Sequence, residues 1–393
     1  MTSRERLMTV LRHGQPDRVP VSTYDMTGWH FDPRENLCSA NDATAQITRD
    51  VFTTYLTGWW NNEPSYAPLM EEIRKKADCV YMTDVATVNR YTAENTVLTQ
   101  NVCGNSTFTT ITLKTPKGDL TQKFRTDKGI YTSWQTEHRI KDDSDIEKFL
   151  SIPFDPMPVD VSHIAAQDKF IGDNGIVLVD IPDPICSAFD LFDFGEFTVR
   201  AFSEEKLMCR LLDKIYEEQE WFLKDMLKKG AGPLFRFAGP EVCTPPYLGA
   251  EQFKKYVLEY DKRLVRLIHD HGQFARVHSH GRVKTIIKYL LEMEIDALDP
   301  VEAPPTDGDV ELWEAKQLCG NNIALFGNIQ LKDLEYLPAD KMREVVKKCI
   351  SEGKPGGNFA VLPTATPINV PLSPRTEENF RIMLDTVHEY GVY

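Results

Sequence analysis

The sequence lacks the features that mark exported, membrane-spanning or disulfide-stabilised proteins. Its start has no apolar core of the kind found in signal peptides, and no uninterrupted apolar run reaches about 18 residues. Its eight cysteines are scattered and include no Cys-x-x-Cys pair, which in a chain of 393 residues indicates reduced thiols rather than a disulfide framework. We therefore expect a cytoplasmic protein that does not enter a membrane.

Positive charge is also scarce. The chain has 45 lysines and arginines against 59 acidic residues, which gives a formal net charge of −14. Binding to a nucleic-acid backbone requires lysine and arginine clustered on one face, and the sequence shows no such cluster. We therefore expect a small molecule rather than a nucleic acid as the main partner.

Short apolar runs alternate with helical stretches along the chain. The runs lie at 19–24, 79–83, 176–180, 233–238, 274–278, 295–299, 323–327 and 359–362. This alternation predicts a parallel sheet with crossover helices, and eight such units favour closure into a (β/α)8 TIM barrel. An open doubly wound sheet is the alternative, but no Gly-x-Gly-x-x-Gly motif follows a strand to support it.

Two segments add to the predicted barrel. Residues 3–13 have helical periodicity and predict an N-terminal helical extension. Residues 107–137 alternate polar with apolar side chains around Pro116-Lys117-Gly118-Asp119, which predicts β-hairpins that cap one end of the barrel. We place this inserted region at 100–140. No linker rich in Pro, Gly and Ser divides the chain, so we predict one domain over 1–393.

His278 and His280 are the leading candidates for chemistry. They follow the fifth predicted strand in Val277-His278-Ser279-His280-Gly281, and a period of two places both on one side of the chain. Reactive groups of TIM barrels lie at this end of the strands. Two imidazoles about 7 Å apart along a strand can share a cation. The alternative is one buried, hydrogen-bonded histidine beside an exposed one.

Two neighbouring loops add carboxylates. Glu302 lies in the proline-rich loop 299–305 after the sixth predicted strand, and Glu241 lies in the loop 239–247 after the fourth. Prolines hold both loops stiff, which would position the carboxylates in advance. A solvated acid on a surface loop is the alternative for each. We predict a zinc site with ligands drawn from His278, His280, Glu302 and Glu241, of which Glu241, His280 and Glu302 also serve as catalytic groups.

Other residues near the predicted strand ends could line a substrate pocket, although each is a weak signal alone. They are Asp25, Trp29, Asp84, Asp180, Tyr247, Asn328 and Gln330. Asn328 and Gln330 lie where many barrels hold an anionic substrate group. A simple capping role is the alternative for that pair.

Several segments, in this order, resemble the uroporphyrinogen decarboxylase superfamily. They are Ser3-Arg4-Glu5-Arg6-Leu7, Pro16-Asp17-Arg18-Val19-Pro20, His278-Ser279-His280-Gly281, Asp299-Pro300 and Phe326-Gly327-Asn328-Ile329. The likeness extends over nearly the whole chain. It implies one of two chemistries. One branch contains decarboxylases that use no cofactor, and the other contains zinc methyltransferases that pass methyl groups to or from a corrinoid protein.

The chain departs from both branches. It lacks the Met-Arg-Gln-Ala-Gly-Arg motif with which the decarboxylases grip substrate carboxylates, and a polyanionic porphyrinogen suits a chain of charge −14 poorly. His280 stands where the methyltransferases carry a cysteine, and the stretch 362–369 lacks their C-terminal cysteine. Imidazole and carboxylate ligands leave zinc more electrophilic than thiolates do. Such an ion would bind oxygen or nitrogen rather than activate a thiol.

We therefore hypothesise a zinc-dependent methyltransferase that moves a methyl group from a small O- or N-methyl substrate to a separate corrinoid (cobalamin) protein. The first alternative is a metal-independent decarboxylase or lyase in which His280 and Glu302 act as acid and base. The second is a barrel that binds a ligand without chemistry. Association into a homodimer stays open.

Overall fold

The computed structural model describes residues 1–31, 59–128, 130 and 133–393. Cys38 and Gly129 lie outside the described residues. The strands, in chain order, are β1 (Cys79–Thr83), β2 (Thr96–Cys103), β3 (Ser106–Thr115), β4 (Gly118–Asp127), β5 (Ser133–Glu137), β6 (Gly175–Pro182), β7 (Leu234–Ala238), β8 (Phe274–His278), β9 (Ala297–Asp299), β10 (Ala324–Ile329) and β11 (Phe359–Pro363).

The α-helices of these residues are numbered in the same way. They are α1 (Ser3–Leu11), α2 (Ala67–Lys76), α3 (Arg90–Asn95), α4 (Asp143–Leu150), α5 (Ser162–Ile171), α6 (Pro184–Phe189), α7 (Phe194–Ser203), α8 (Glu205–Lys228), α9 (Ala250–Phe253), α10 (Glu259–His269), α11 (Ile287–Met293), α12 (Leu312–Cys319), α13 (Leu331–Tyr336), α14 (Ala339–Gly353) and α15 (Pro374–Tyr390). A π-helical segment, Lys254–Leu258, joins α9 to α10.

A curled parallel sheet forms the centre of the protein. Among the described residues it has seven strands in the order β1-β6-β7-β8-β9-β10-β11. Residues 20–22 lie between its two edges. The Ser22 amide donates to the Val361 carbonyl on β11 over 2.9 Å, and the Asp78 amide, directly before β1, donates to the Val21 carbonyl over 2.7 Å. These bonds link the two edge strands, so the predicted TIM-barrel fold is confirmed and the open sheet is excluded.

The segment 19–24, which the sequence predicts to be a full strand, forms only a single bridge between Val21 and Val361. Pro20 has no amide to donate, and the Val21 amide donates to the Asp78 carboxylate over 2.9 Å instead of to a strand. Tyr24 then turns the chain with a left-handed φ of 62°. The other predicted barrel strands are confirmed, each within two residues at its ends.

Helix α1 closes the N-terminal end of the barrel. Leu7, Val10 and Leu11 are fully buried against apolar side chains of the barrel interior. Those side chains belong to Val80, Ile176, Leu178, Leu234, Ala297, Ala324, Phe326, Ala360 and Leu362. Arg6 donates to the Asp78 carboxylate over 2.6 Å and so ties the helix to the start of β1. The predicted N-terminal helical extension is therefore a plug for this end of the barrel.

The inserted region is an antiparallel sheet in the order β2-β3-β4-β5. β3 and β4 form a hairpin around the predicted turn at Pro116 and Lys117. The sheet begins at Thr96, so the inserted β-region starts earlier than the predicted residue 100. Leu113 and Leu120 pack with Ile152 in a small core of their own. The extent of the single domain, 1–393, stays a prediction.

None of the helices in the described ranges is long and apolar enough to cross a membrane. The described cysteines are free thiols, and Cys79, Cys243, Cys319 and Cys349 are buried. Burial raises the pKa of Cys319 and of Cys349 to about 12. Both are therefore held as inert thiols at neutral pH, in line with the expected reduced cysteines.

Candidate active site

The interior of the barrel becomes charged toward the carboxyl ends of the strands. Side chains alternate across each strand, so the residue two positions after an apolar interior side chain also faces inward. On β7 and β8 these residues are Arg236 and Arg276, which are register partners. His278 and Asp299 are register partners on β8 and β9. All four side chains are buried.

Each buried arginine has a carboxylate beside it. Arg236 donates from Nη1 to Asp180 Oδ1 over 2.6 Å and from Nη2 to the Tyr24 hydroxyl over 2.5 Å. Arg276 Nε lies 3.0 Å from Asp299 Oδ1. Burial alone would raise the pKa of Asp299, but the charge of Arg276 and the hydrogen bond with His278 lower it well below its ordinary value. Asp299 is thus an anion deep in the barrel, where unpaired charge would be very costly.

His278 is surrounded by polar groups. Its Nδ1 lies 2.9 Å from Asp299 Oδ2, and its Nε2 lies 3.5 Å from Glu241 Oε2. The Tyr24 hydroxyl is 3.3 Å from both ring nitrogens. Burial lowers the pKa of His278, and the charge of Arg236 lowers it further. The imidazole is therefore neutral at neutral pH, which is the form that coordinates metals.

His280 lies beside His278 at the mouth of the barrel. The two ring centroids are 4.7 Å apart, and the rings are nearly perpendicular at 87°. His280 Nδ1 lies 3.2 Å from Glu302 Oε1. Burial would lower the pKa of His280, but the hydrogen bond and charge of Glu302 raise it above its ordinary value. Glu302 also accepts the Gly281 amide over 3.2 Å, so this carboxylate holds both the ring and the turn that follows it.

Gly281 allows the histidine loop to approach the neighbouring loop. Its φ is 89°, and a Cβ at this position would lie 2.7 Å from the Pro245 carbonyl oxygen. The next amide, of Arg282, donates to that same oxygen over 2.7 Å. The loop that contains Pro245 also contains Glu241, within a 3-10 turn at Pro240–Cys243. This contact therefore fixes the distance between Glu241 and the histidines.

Three side chains converge as a candidate metal site. One ligand atom each from Glu241, His278 and His280 lies within 4.8 Å of the other two. Asp299 and Glu302 contact the Nδ1 atoms of the two rings, which leaves Nε2 of each ring as the ligand atom. Metal-binding histidines commonly have a carboxylate on the other nitrogen. Two imidazoles and one carboxylate are a ligand set that fits zinc. Glu302 is not one of these three groups, because it contacts His280 on the opposite ring nitrogen, Nδ1.

Three of the predicted substrate-contacting residues, Asp25, Asp180 and Asn328, lie toward the same interior, and Gln330 directly precedes α13. Asp180 pairs with Arg236 as described. Asp25 accepts a hydrogen bond from the Thr366 hydroxyl over 2.5 Å, and burial raises the pKa of Asp25 to about 6. Asn328 lies on β10, and its carbonyl accepts the Gln330 side-chain amide over 3.5 Å.

The other three predicted substrate-contacting residues make contacts elsewhere. Trp29 packs edge to face against Phe170 of α5, with ring centroids 5.7 Å apart. Asp84 is exposed and its backbone carbonyl lies 2.9 Å from Nε2 of His163. Tyr247 is 51% exposed and packs edge to face against Phe194 of α7, with ring centroids 5.4 Å apart. Among the described residues, no hydrogen bond, ion pair or ring contact joins these three side chains to the histidine pair.

The sequence interpretation missed Tyr24, Arg236 and Arg276, and treated Asp299 only as part of a motif. A signal for the arginines exists, because each is the one charged residue inside an apolar strand, in Leu234-Phe235-Arg236-Phe237 and Ala275-Arg276-Val277. A charge at the centre of such a strand requires a buried partner. No comparable signal exists for Tyr24, since only the tertiary fold brings the segment 20–24 beside β8.

The sequence profile of the family described as uroporphyrinogen decarboxylase (URO-D) matches residues 179–390. No curated protein matches the chain. Among solved structures, a methyltransferase from Methanosarcina mazei is similar over 99% of each chain, with 15% sequence identity and a TM-score of 0.59. At this identity the likeness shows the fold alone.

Two structures of D-psicose 3-epimerase are less similar and carry no argument. The first, solved in the presence of D-fructose, matches over 58% of this chain and 82% of its own, with 10% identity and a TM-score of 0.35. The second, from Clostridium cellulolyticum H10 with D-tagatose, matches over 58% of this chain and 91% of its own, with 9% identity and a TM-score of 0.31.

Proposed function

The chain belongs to the uroporphyrinogen decarboxylase family, and from this premise we propose that it is a methyltransferase. Its substrate is a small molecule with a methyl group on oxygen or nitrogen, and its methyl acceptor is a corrinoid carried by a separate protein. The observation that carries the proposal is the convergence of Glu241, His278 and His280 at the open end of the barrel. The similarity in fold to the Methanosarcina mazei methyltransferase supports it.

Zinc is the metal that the proposal assigns to this site. His278, His280 and Glu241 would hold it, and three protein ligands would leave a fourth position for the substrate. When bound, the zinc ion would supply Lewis acidity toward the oxygen or nitrogen that carries the methyl group. The sequence also predicts Glu302 as a ligand, but its place on His280 Nδ1 gives it a different role, which is to orient that ring and increase its basicity.

The other residues of the cluster position the ligands. Asp299 accepts a hydrogen bond from His278 Nδ1–H, which leaves Nε2 unprotonated and directed at Glu241. Arg236 donates to the Tyr24 hydroxyl and so holds Tyr24 against the His278 ring. Burial raises the pKa of Tyr24 far above its ordinary value, so this hydroxyl keeps its proton.

The site also reaches solvent, which transfer to a corrinoid protein requires. The side chains of His280 and Glu241 are 36% and 33% exposed, whereas that of His278 is 7% exposed. A partner can therefore approach from the His280 side. We assign substrate contact to Asp25, Asp180 and Asn328, which lie along the same interior, and to Gln330, which directly follows β10. The proposal gives no such role to Trp29, Asp84 or Tyr247.

One observation favours a second candidate function. His280 Nδ1 lies 3.2 Å from Glu302 Oε1, and this contact raises the pKa of His280, so the pair would be able to act as acid and base without a metal. This pair would suit a decarboxylase or lyase that acts on a polar small molecule. The two candidates differ in their requirement for metal, which makes them separable by experiment.

The test is metal analysis of the purified protein together with a demethylation assay. We expect one zinc ion per chain in the wild type, and loss of zinc and of activity in His278→Ala and His280→Ala. His271→Ala removes an exposed histidine and should retain both. The assay would follow methylation of a cob(I)alamin acceptor by methoxylated aromatic compounds and methylated amines. Metal-free protein with full activity would rule out the zinc site and leave the acid–base candidate.

A further inference from the structure

A second cavity lies outside the barrel, between the inserted sheet and helix α8. Its volume is about 490 Å³, within the range of roughly 300–1,000 Å³ that is typical of small-molecule sites. Its apolar wall is formed by Leu98 and Leu113 of the sheet, Phe149 of α4 and Phe222 of α8. None of the proposed metal ligands lines it, so it is a separate site from the barrel mouth.

Arg139 is the unusual residue of this cavity. It is half-buried where the chain leaves β5, and no carboxylate of the described residues lies within ion-pair distance of its guanidinium. Burial lowers the pKa of Arg139 to about 10, and no anion of the described residues opposes this shift. By contrast, Arg200 pairs with Asp143 and Glu204, each over 2.9 Å. Arg139 is therefore a desolvated cation that has no counter-ion among the described residues.

The other charged groups of the cavity neutralise each other. Lys214 Nζ lies 2.7 Å from Glu218 Oε1 and donates to the Ile152 carbonyl over 2.9 Å. Among the lining residues, the charges of Arg139, Lys214 and Glu218 leave one net positive charge. The cavity thus combines a single uncompensated cation with an aromatic and aliphatic wall.

We propose that this cavity binds a small organic monocarboxylate. Its carboxylate would pair with Arg139, since a guanidinium presents two parallel N–H donors to the two carboxylate oxygens. Its apolar body would lie against Leu98, Phe149 and Phe222. The inserted sheet is then a ligand-binding element as well as a wall. This proposal does not depend on the methyltransferase function.

Calorimetric titration with benzoate tests the proposal, because benzoate has one carboxylate and an apolar ring. We expect saturable binding to the wild type, and binding weaker by roughly tenfold or more in Arg139→Gln. Benzamide, which has the same shape without the charge, should also bind the wild type at least about tenfold more weakly. The control is Arg125→Gln, which removes an exposed arginine of the same sheet and should bind benzoate like the wild type.

Three results would overturn the proposal. One is equal benzoate affinity in the wild type and Arg139→Gln, and another is no saturable binding to the wild type up to about 10 mM. Loss of benzoate binding in the His278→Ala, His280→Ala double variant would also overturn it, because benzoate would then occupy the barrel mouth. If Arg139→Gln does not fold, Arg139→Lys keeps the charge but loses the paired donors and should still weaken binding.

Discussion

The two ends of the barrel interior differ in chemistry, although the same strands form both. At the N-terminal end, Leu178 and Leu234 pack with the buried face of α1. Two residues further along the same strands, Asp180 and Arg236 form an ion pair over 2.6 Å. The change from apolar to charged side chains occurs within one two-residue repeat of each strand. It agrees with the general organisation of this fold, in which residues at one end of the barrel contribute stability and residues at the other end contribute chemistry.

This difference indicates what each end contributes. Burial of apolar side chains at the closed end is favourable without any further partner. At the open end, each buried charge is stabilised by the oppositely charged group beside it. Removing one group therefore destabilises its neighbours. Arg276, Asp299 and His278 form a chain of this kind. We therefore expect substitutions at the two ends to affect different properties.

The largest effect is expected for Asp299→Ala at the open end. This change leaves Arg276 as an uncompensated buried charge and removes the partner of His278 Nδ1, so unfolding free energy should fall by about 3–5 kcal/mol. Urea unfolding followed by circular dichroism measures it. Asp307→Ala, in an exposed position of the next loop, should change stability by less than about 0.5 kcal/mol. Wild-type stability in Asp299→Ala would show that the charges are not interdependent.

Leu178→Ala tests the closed end. Removing a fully buried leucine from the plug around α1 should lower the unfolding free energy by about 3 kcal/mol. Zinc affinity, measured by competition with a chelator on the folded protein, should stay that of the wild type. Leu318→Ala, at a position 43% exposed, is the matched control and should alter neither quantity. A tenfold loss of zinc affinity in Leu178→Ala would contradict the separation of the two ends.

The smallest effect on stability is expected for Glu302→Gln. The amide keeps the shape and can still accept a hydrogen bond, but the charge beside His280 is lost, so zinc affinity should fall about 10–100-fold. In the metal-free protein the pKa of His280 should also fall toward its ordinary value, and the ring should lose its proton at lower pH than in the wild type. Titration of the imidazole by NMR detects this change.

Glu314→Gln is the control for that substitution, since Glu314 pairs with Lys284 at the surface. It should leave zinc affinity and the His280 titration unchanged. If Glu302→Gln also behaves like the wild type in both measurements, then Glu302 neither orients His280 nor alters its charge, and its place in the site must be reconsidered.

Much of the fold could be predicted from local pattern. The strands β8 and β11 and the hairpin of β3 and β4 were predictable because their apolar runs and turn residues are continuous in the chain. The segment 19–24 has the same composition but forms one bridge, because Asp78, far along the chain, accepts the Val21 amide. A pattern within six residues contains no information about such a partner.

The sequence by itself determined that a His-x-His pair would lie at the end of a barrel strand with acidic loops nearby, since strand periodicity and loop prolines are local properties. Only the tertiary structure decided which carboxylate contacts which ring nitrogen. Asp299 contacts Nδ1 of His278, Glu302 contacts Nδ1 of His280, and Glu241 faces Nε2 of His278. The physical reason is that these groups come from three separate strand ends. Their distances depend on the closure of the sheet and on the approach of two loops at Gly281.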